Sequence, residues 1–174
     1  MLNGRTVILA VGGGISAYKS AELVRGLRAQ GARVRVLMSA NAQQFVTKLT
    51  LQTLSGEPVA TDLFDLTQES EIGHIDLADS ADTILVAPAT ANIIGKLAHG
   101  IADDLLTTVL LATRAPVVLA PAMNVHMYES TVVRENLEKL AARGYQIVPP
   151  DVGALACGYE GPGRQPDPPV LLEA

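Results

Sequence analysis

Tryptophan is missing from this chain, and the other large aromatics are scarce, with two phenylalanines and four tyrosines. A core or interface built on aromatic anchors is thereby excluded, and aliphatic side chains must do that packing. One cysteine cannot form an internal disulfide. Charge is sparse at 18% of residues and acidic on balance, with a formal net charge of −5. The basic face that nucleic acid or an anionic membrane requires is lacking, so neither is expected as a partner. The long apolar region from Ile101 to Met123 is broken by Asp103, Asp104, Arg114 and two prolines, which argues against a bilayer span. The chain opens on no charged and apolar leader, and a cytoplasmic location is expected. Internal repeats and low-complexity tracts are also missing.

What is present is aliphatic. Hydrophobic residues make up 48% of the chain and mean hydropathy is +0.27, so some helix faces are too apolar to be fully wet and a homo-oligomer is expected. With 174 residues, one domain with a sizeable core is expected over 1–174. Residues 149–174 form a Gly/Pro-rich flap and tail in this reading, because periodicity is lost from Pro149 onward.

Short apolar runs without alternation mark strands buried on both faces. Thr6 to Val11 is the first and runs into Gly12, Gly13 and Gly14, after which Ala17 to Ala29 has helical spacing. Val34 to Met38 is the second strand, and Ser39 opens a turn before a helix expected from Ala42 to Leu54. A short third strand is expected around Val59, and Thr67 to Asp79 reads as a loop containing Gly73 and His74. Further strands are expected at Thr83 to Ala87, Val117 to Ala120 and Gln146 to Val148. Helices are expected at Asn92 to Ala98, Asp103 to Thr113 and Thr131 to Arg143. About six strands alternating with helices predict an α/β fold, a Rossmann-like doubly wound parallel sheet.

In such sheets ligands bind outside the carboxyl ends of the strands. Four strand ends carry suitable groups. Gly12, Gly14 and Ala17 match G-x-G-x-x-[GA], which lets backbone and a helix start approach a phosphate, though a tight turn without ligand uses the same residues. A dinucleotide site needs an acid after the second strand to hold a ribose, whereas Met38 is followed by Ser39, Ala40 and Asn41. Hydroxyl and amide groups suit a phosphate, so a mononucleotide such as FMN is favoured over a nicotinamide dinucleotide. Pro88 to Asn92 places a hydroxyl and an amide at another helix start, where ordinary capping would also place them. Pro121 ends the strand at Val117 and delivers Asn124, His126 and Met127.

The segments G-G-G-I-S-A-Y-K at 12–19, G-H-I at 73–75, A-P-A-T-A-N at 87–92, G-I-A-D-D-L-L-T-T at 100–108, A-P-A-M-N at 120–124 and L-A-C-G-Y-E-G-P-G-R at 155–164 occur in order across nearly the whole chain. Together they resemble the homo-oligomeric flavin-containing cysteine decarboxylases. The resemblance implies a flavoprotein that binds FMN near a subunit interface in trimers or dodecamers. It further implies that 4′-phosphopantothenoylcysteine is decarboxylated to 4′-phosphopantetheine in coenzyme A biosynthesis. In that scheme the thiol is transiently oxidised, the thioaldehyde loses carbon dioxide, and the enethiol is reduced again.

By resemblance His74 is the base, Asn124 holds the substrate carboxylate, and Cys157, flanked by the substrate contacts Ala156 and Gly158, protonates the enethiolate. Gly13, Gly14, Ile15, Ser16, Ser39, Phe45, Ala89, Thr90, Asn92, Thr107 and Ala122 fall on flavin-site positions. Residue chemistry alone leaves His126 as a competing base, and a surface histidine, a turn asparagine and a packing cysteine as the plain alternatives. A basic residue and an aromatic that many relatives carry after the histidine are replaced here by Asp79 and Ser80, and a usual methionine by Gln165. A fused or associated phosphopantothenate-cysteine ligase is a further expectation. Two other readings stay open: a peptidyl-cysteine decarboxylase that stops at an enethiol, and a non-enzymatic regulatory flavoprotein of the same fold.

Overall fold

The computed structural model describes residues 1–64, 73–156 and 158–174. Five parallel strands form the central sheet: β1 Thr6–Val11, β2 Arg33–Met38, β3 Thr83–Ala89, β4 Val117–Pro121 and β5 Gln146–Ile147, in the order β2-β1-β3-β4-β5. The apolar side chains of β1, β2, β3 and β4 are covered, while Arg35 of β2 and the two residues of β5 are not fully buried. Val7, Leu9, Val11, Val34, Val36, Leu85, Val118 and Ala120 meet helices α1 (Ser20–Ala29) and α2 (Lys48–Ser55) on one face. Ile8, Ala10, Leu37, Ile84, Val86 and Leu119 meet α3 (Gly73–Ser80), α4 (Ala91–His99), α5 (Leu105–Ala112) and α7 (Thr131–Ala142) on the other. Alternate residues thus serve two cores, which is why the strands read as unbroken apolar runs. Strand order reverses between β1 and β3, and the loops there diverge to leave a crevice.

The expected third strand is only an isolated parallel bridge between Leu37 and Ala60, one residue past Val59. The stretch expected as one helix from Ala42 to Leu54 is instead a 3₁₀ turn at Ala40–Gln44 capped by Ser39, then α2, whose N-cap Thr47 accepts from Thr50 N–H. Two side-chain caps eight positions apart, at Ser39 and Thr47, outcompete a continuous helix. Residues 73–79 of the expected loop belong to α3, while 67–72 of it lie outside the described residues. Leu77 and Ala78 of α3 pack into the core, so tertiary burial supplies what the local pattern did not signal.

The flap is ordered beyond expectation. β6 (Asp151–Ala154) and β7 (Glu160–Arg164) form an antiparallel hairpin, and α8 (Pro168–Glu173) packs on α1 through Leu171 and Leu172. Gly163 lies with φ +143, and a Cβ there would sit 2.2 Å from the Met123 carbonyl oxygen, while Met123 N–H donates to Gly163 O at 3.0 Å. A short helix α6 (Val125–Glu129) follows β4 directly, and Val125 meets Gly161 of the hairpin. No helix among the described residues is long and apolar enough to cross a membrane.

Two polar ties hold distant parts of the chain. Lys19 is nearly buried and donates from Nζ to Gln165 O and to the Asp167 carboxylate, both at 2.8 Å, clamping the tail to the start of α1. Asp82 accepts from Thr6 N–H at 2.8 Å and from Arg5 at 2.7 Å, joining the starts of β1 and β3. Replacing Lys19 by methionine is expected to cost on the order of 2 kcal/mol, the scale of hydrogen bonds to a charged group, and to speed proteolysis within 149–174 before the rest of the chain. Limited proteolysis followed by mass spectrometry checks this. The bond from Thr6 N–H, with Arg5, holds the Asp82 carboxyl below its usual pKa. That contribution is therefore present above about pH 4 and is lost as pH falls through the lower folded-state value. Thermal melts should show Asp82→Asn less stable than wild type at pH 6, with the difference shrinking as pH falls below about 4; a constant difference across that range would overturn the assignment.

Candidate functional site

The crevice at the strand-order reversal is a cleft of about 1020 Å³. That is the upper end of the range for small-molecule pockets, which run to ~1,000 Å³. Its walls come from the glycine turn after β1, the turn after β2, the start of α4, the β4–α6 junction and the hairpin.

The glycine turn is shaped by close approach. A Cβ on Gly12 would sit 2.3 Å from Pro88 O, the atom that accepts the Gly12 N–H at 3.2 Å. A Cβ on Gly13 would fall 2.3 Å from the Asn41 Cβ, whereas one on Gly14 would meet nothing nearer than 3.7 Å. Side-chain-free backbone is thus required where β1 meets β3 and where it meets the turn after β2. Ile15 and Ser16 continue along the cleft as a 3₁₀ turn, Ile15–Lys19.

Two hydroxyls line the cleft beside this turn. Ser39 Oγ accepts from Ala42 N–H at 3.2 Å, and Thr90 Oγ1 accepts from Ile93 N–H at 3.4 Å. With an acceptor position already used, each hydroxyl is left to donate, which suits a phosphate or another anion. Asn41 and Asn92 add amides to the lining, and Ala122 adds a small apolar contact. Two carboxylates line the cleft: Asp167 in the tail, held by Lys19, and Asp104 at the start of α5. Asp104 is the more buried of the two. Burial pushes its pKa up, but bonds from Thr107 and Lys96 outweigh this and hold it below the usual value. Lys96 is raised, chiefly by its bond to Asp103, with burial opposing, and stays charged. This donor set fits a phosphate-bearing mononucleotide: hydroxyls, amides and backbone, with no carboxylate after β2 to take a ribose.

Asn124 is the N-cap of α6, and its Oδ1 accepts from His126 N–H at 2.9 Å, which fixes the plane of the amide at the cleft wall. Ala156 also lines the cleft; Cys157 lies outside the described residues, and Gly158 is exposed beyond the wall. His126 stacks edge-on against Tyr159, with centroids 5.0 Å apart, so the α6 segment touches the hairpin tip.

Not every expected residue reaches the cleft. His74 lines a separate hollow of about 210 Å³ with Arg35, Glu57 and Asp76, and the two spaces share no residue. Phe45 is about half exposed, outside the cleft lining. Ala89 is fully buried beneath it, and Thr107 is buried in a reciprocal cap, bonding the Asp104 carboxylate through N–H at 2.8 Å and hydroxyl at 2.7 Å. Asp79 and Ser80, where a basic grip was missing, lie on α3 near that hollow, and Arg35 donates to Ser80 Oγ at 2.7 Å.

The sequence reading assigned no role to Tyr18, Lys19, Lys96, Arg164 and Gln165, which all line the cleft. Lys19 and Arg164 sat inside segments already singled out, but their partners lie far along the chain. Gln165 is buried, and neither end of its amide has a partner among the described residues; Ser20 Oγ is in the same state. Such groups take ordered water or a ligand.

The family model described as Flavoprotein matches residues 1–174. The coenzyme A biosynthesis bifunctional protein CoaBC of Bacillus subtilis (strain 168) is 55% identical over 173 residues, covering 99% of this chain and 43% of that protein. The chain therefore spans less than half the length of this relative. Among solved structures, a cysteine-to-serine variant of PPC decarboxylase complexed with pantothenoylaminoethenethiol is 29% identical with a TM-score of 0.87, covering 97% of this chain and 94% of that one. The FMN-dependent cysteine decarboxylase SpaF is 32% identical with a TM-score of 0.83, covering 94% and 91%. A cleft that offers phosphate donors at the β1/β3 reversal and an oriented amide opposite them agrees with these likenesses, and the chain belongs to the flavoprotein family.

Proposed function

We propose that this chain is a single FMN-binding domain that decarboxylates 4′-phosphopantothenoylcysteine to 4′-phosphopantetheine, with residues 149–174 as flap and tail. One observation carries the reading: donor hydroxyls, amides and side-chain-free backbone converge at the β1/β3 reversal, and the fixed amide of Asn124 faces the same space. The strand order 2-1-3-4-5 is one in which FMN sits at that reversal in other α/β proteins. The likeness to PPC decarboxylase and to the FMN-dependent SpaF supports the same cofactor and chemistry. In the longer Bacillus relative the matched segment is 43% of the protein, which favours a ligase fused to, or associated with, this domain.

When bound, FMN would take a hydride from the carbon bearing the substrate thiol and later return it. Gly13, Gly14, Ser16, Ser39, Thr90 and Asn92 would hold it. Asn124 would hold the carboxylate by its amide donors without a positive charge, which would otherwise stabilise the carboxylate more than the departing carbon dioxide. Loss of that hydride from carbon and of the thiol proton from sulfur, two electrons and two protons together, would create a thioaldehyde, whose sulfur accepts the electron pair of the breaking bond to the carboxylate. Cys157, a thiol largely protonated at neutral pH, then gives a proton to the enethiolate. The hairpin would fold over this chemistry and exclude water.

His74 as the base requires a second copy of the chain, because in one copy its hollow is separate from the cleft. Exposed Ile15, Tyr18, Phe45 and Leu49 provide apolar surface for such an assembly, a trimer or dodecamer in this reading. A peptide ending in cysteine is the second substrate class the cleft admits, given the likeness to SpaF.

Anaerobic addition of 4′-phosphopantothenoylcysteine to the FMN-loaded protein should release carbon dioxide with the flavin spectrum restored at the end. Turnover only with a cysteine-terminal peptide would replace the proposed substrate, and failure to bind FMN would overturn the cofactor reading. Cys157→Ser should still release carbon dioxide but accumulate the unreduced enethiol, read by mass spectrometry. His74→Asn and Asn124→Asp chains, each inactive by itself, should recover carbon dioxide release when co-assembled; no recovery would refute a site shared between copies.

A further inference from the structure

Three cations line the cleft, and two are already committed. Lys19 is bonded at 2.8 Å to both Gln165 O and Asp167, and Lys96 at 2.7 Å to Asp103 and 3.0 Å to Asp104. Arg164 differs. Its guanidinium makes no hydrogen bond among the described residues, and its carboxylate neighbours, Asp151 at 3.8 Å and Asp167 at 3.7 Å, are too distant for one. Asp167 is moreover neutralised by Lys19. The side chain is 48% exposed and lines the cleft, so its guanidinium, with five N–H donors, is accessible to a ligand there.

The backbone at this position is not free to drift. Gly163 is packed against the Met123 carbonyl and bonded to Met123 N–H, so the root of Arg164 is held one residue from the β4–α6 junction that carries Asn124. A rigid root, a long side chain and an unspent planar fork are what bidentate capture of an anion requires.

We propose that Arg164 is the residue that reads the phosphomonoester of the substrate, an inference that rests on the function proposed above. The competing anions are served otherwise. A cofactor phosphate would meet the glycine turn and the Ser39 and Thr90 hydroxyls, which line the cleft. The substrate carboxylate leaves as carbon dioxide, and a guanidinium on it would stabilise the state before departure. The phosphomonoester keeps its charge throughout, so binding it tightens the complex without changing the barrier. The grip lost with Asp79 and Ser80 on α3 is thereby supplied from the hairpin, and phosphate binding would hold that hairpin closed.

The test compares phosphorylated and unphosphorylated ligands on the FMN-loaded full chain. Calorimetry with 4′-phosphopantetheine and pantetheine is run on wild type, Arg164→Gln and Arg164→Lys, with flavin content and carbon dioxide release measured in parallel. Wild type should prefer the phosphorylated ligand, and Arg164→Gln should lose about 10-fold to 100-fold of that preference, the scale of a charge-assisted pair. In turnover the loss should appear in KM with kcat little changed, and Arg164→Lys should recover part of it. A preference equal in wild type and Arg164→Gln, or no preference in wild type, overturns the proposal. Loss of flavin from Arg164→Gln and Arg164→Lys alike would assign the residue to the cofactor phosphate instead and overturn it too. Wild type that binds with the phosphate preference but releases no carbon dioxide would overturn the decarboxylase reading and leave the role of Arg164 standing.

Discussion

The contact on which the site depends is the one between Gly12 and Pro88. With a Cβ position only 2.3 Å from the Pro88 carbonyl and an N–H bonded to that same oxygen, Gly12 brings the end of β1 flush against the end of β3. The two strands flank the point where strand order reverses, so this contact sets the floor of the cleft. The Asn41 Cβ closes on Gly13 in the same way from the second turn. Any side chain at either glycine would push apart walls whose separation decides whether hydroxyl and amide donors converge on one ligand.

Around that floor the fold divides labour between rigid and attached parts. The sheet, buried on both faces, and the capped helices α4 and α5 hold Thr90, Asn92 and the Lys96–Asp104 pair in place. The hairpin is added afterwards in sequence and is fastened at three points: Gly163 on Met123, Gly161 against Val125, and the tail clamp of Lys19 on Gln165 and Asp167. Its small apolar content means that backbone and charge, rather than burial, hold it to the cleft. Such an element opens at lower free energy than the sheet, which is what a cover over a reacting substrate needs.

His74 and Asn124 lie in two spaces that share no lining residue. Exposed Ile15 and Tyr18 stand at the larger of them, and the function proposed above draws on both spaces through a second copy of the chain. Surfaces that pair with copies of themselves need not be polar, so the low charge content agrees with that proposal.

Local sequence determined the strands, because residues buried on two faces leave unbroken aliphatic runs at Val7 to Val11, Ile84 to Ala87 and Val117 to Ala120 whatever their neighbours. It also determined the glycine turn and the caps at Ser39, Thr90 and Asn124, whose hydrogen bonds span two or three residues. Helix α3 and the hairpin were illegible, since α3 is supported by core contacts and the hairpin by backbone docking on β4 and α6. Only the tertiary structure decided which side chains share the cleft. Thr107 turns inward to cap Asp104, Phe45 points away, His74 lies in another hollow, and Arg164 arrives from the far end of the chain. Contacts between residues 77 or 146 positions apart, such as Asp82 with Arg5 and Lys19 with Gln165, leave no local periodicity, because no side chain's neighbours along the chain differ according to what it will meet across the fold.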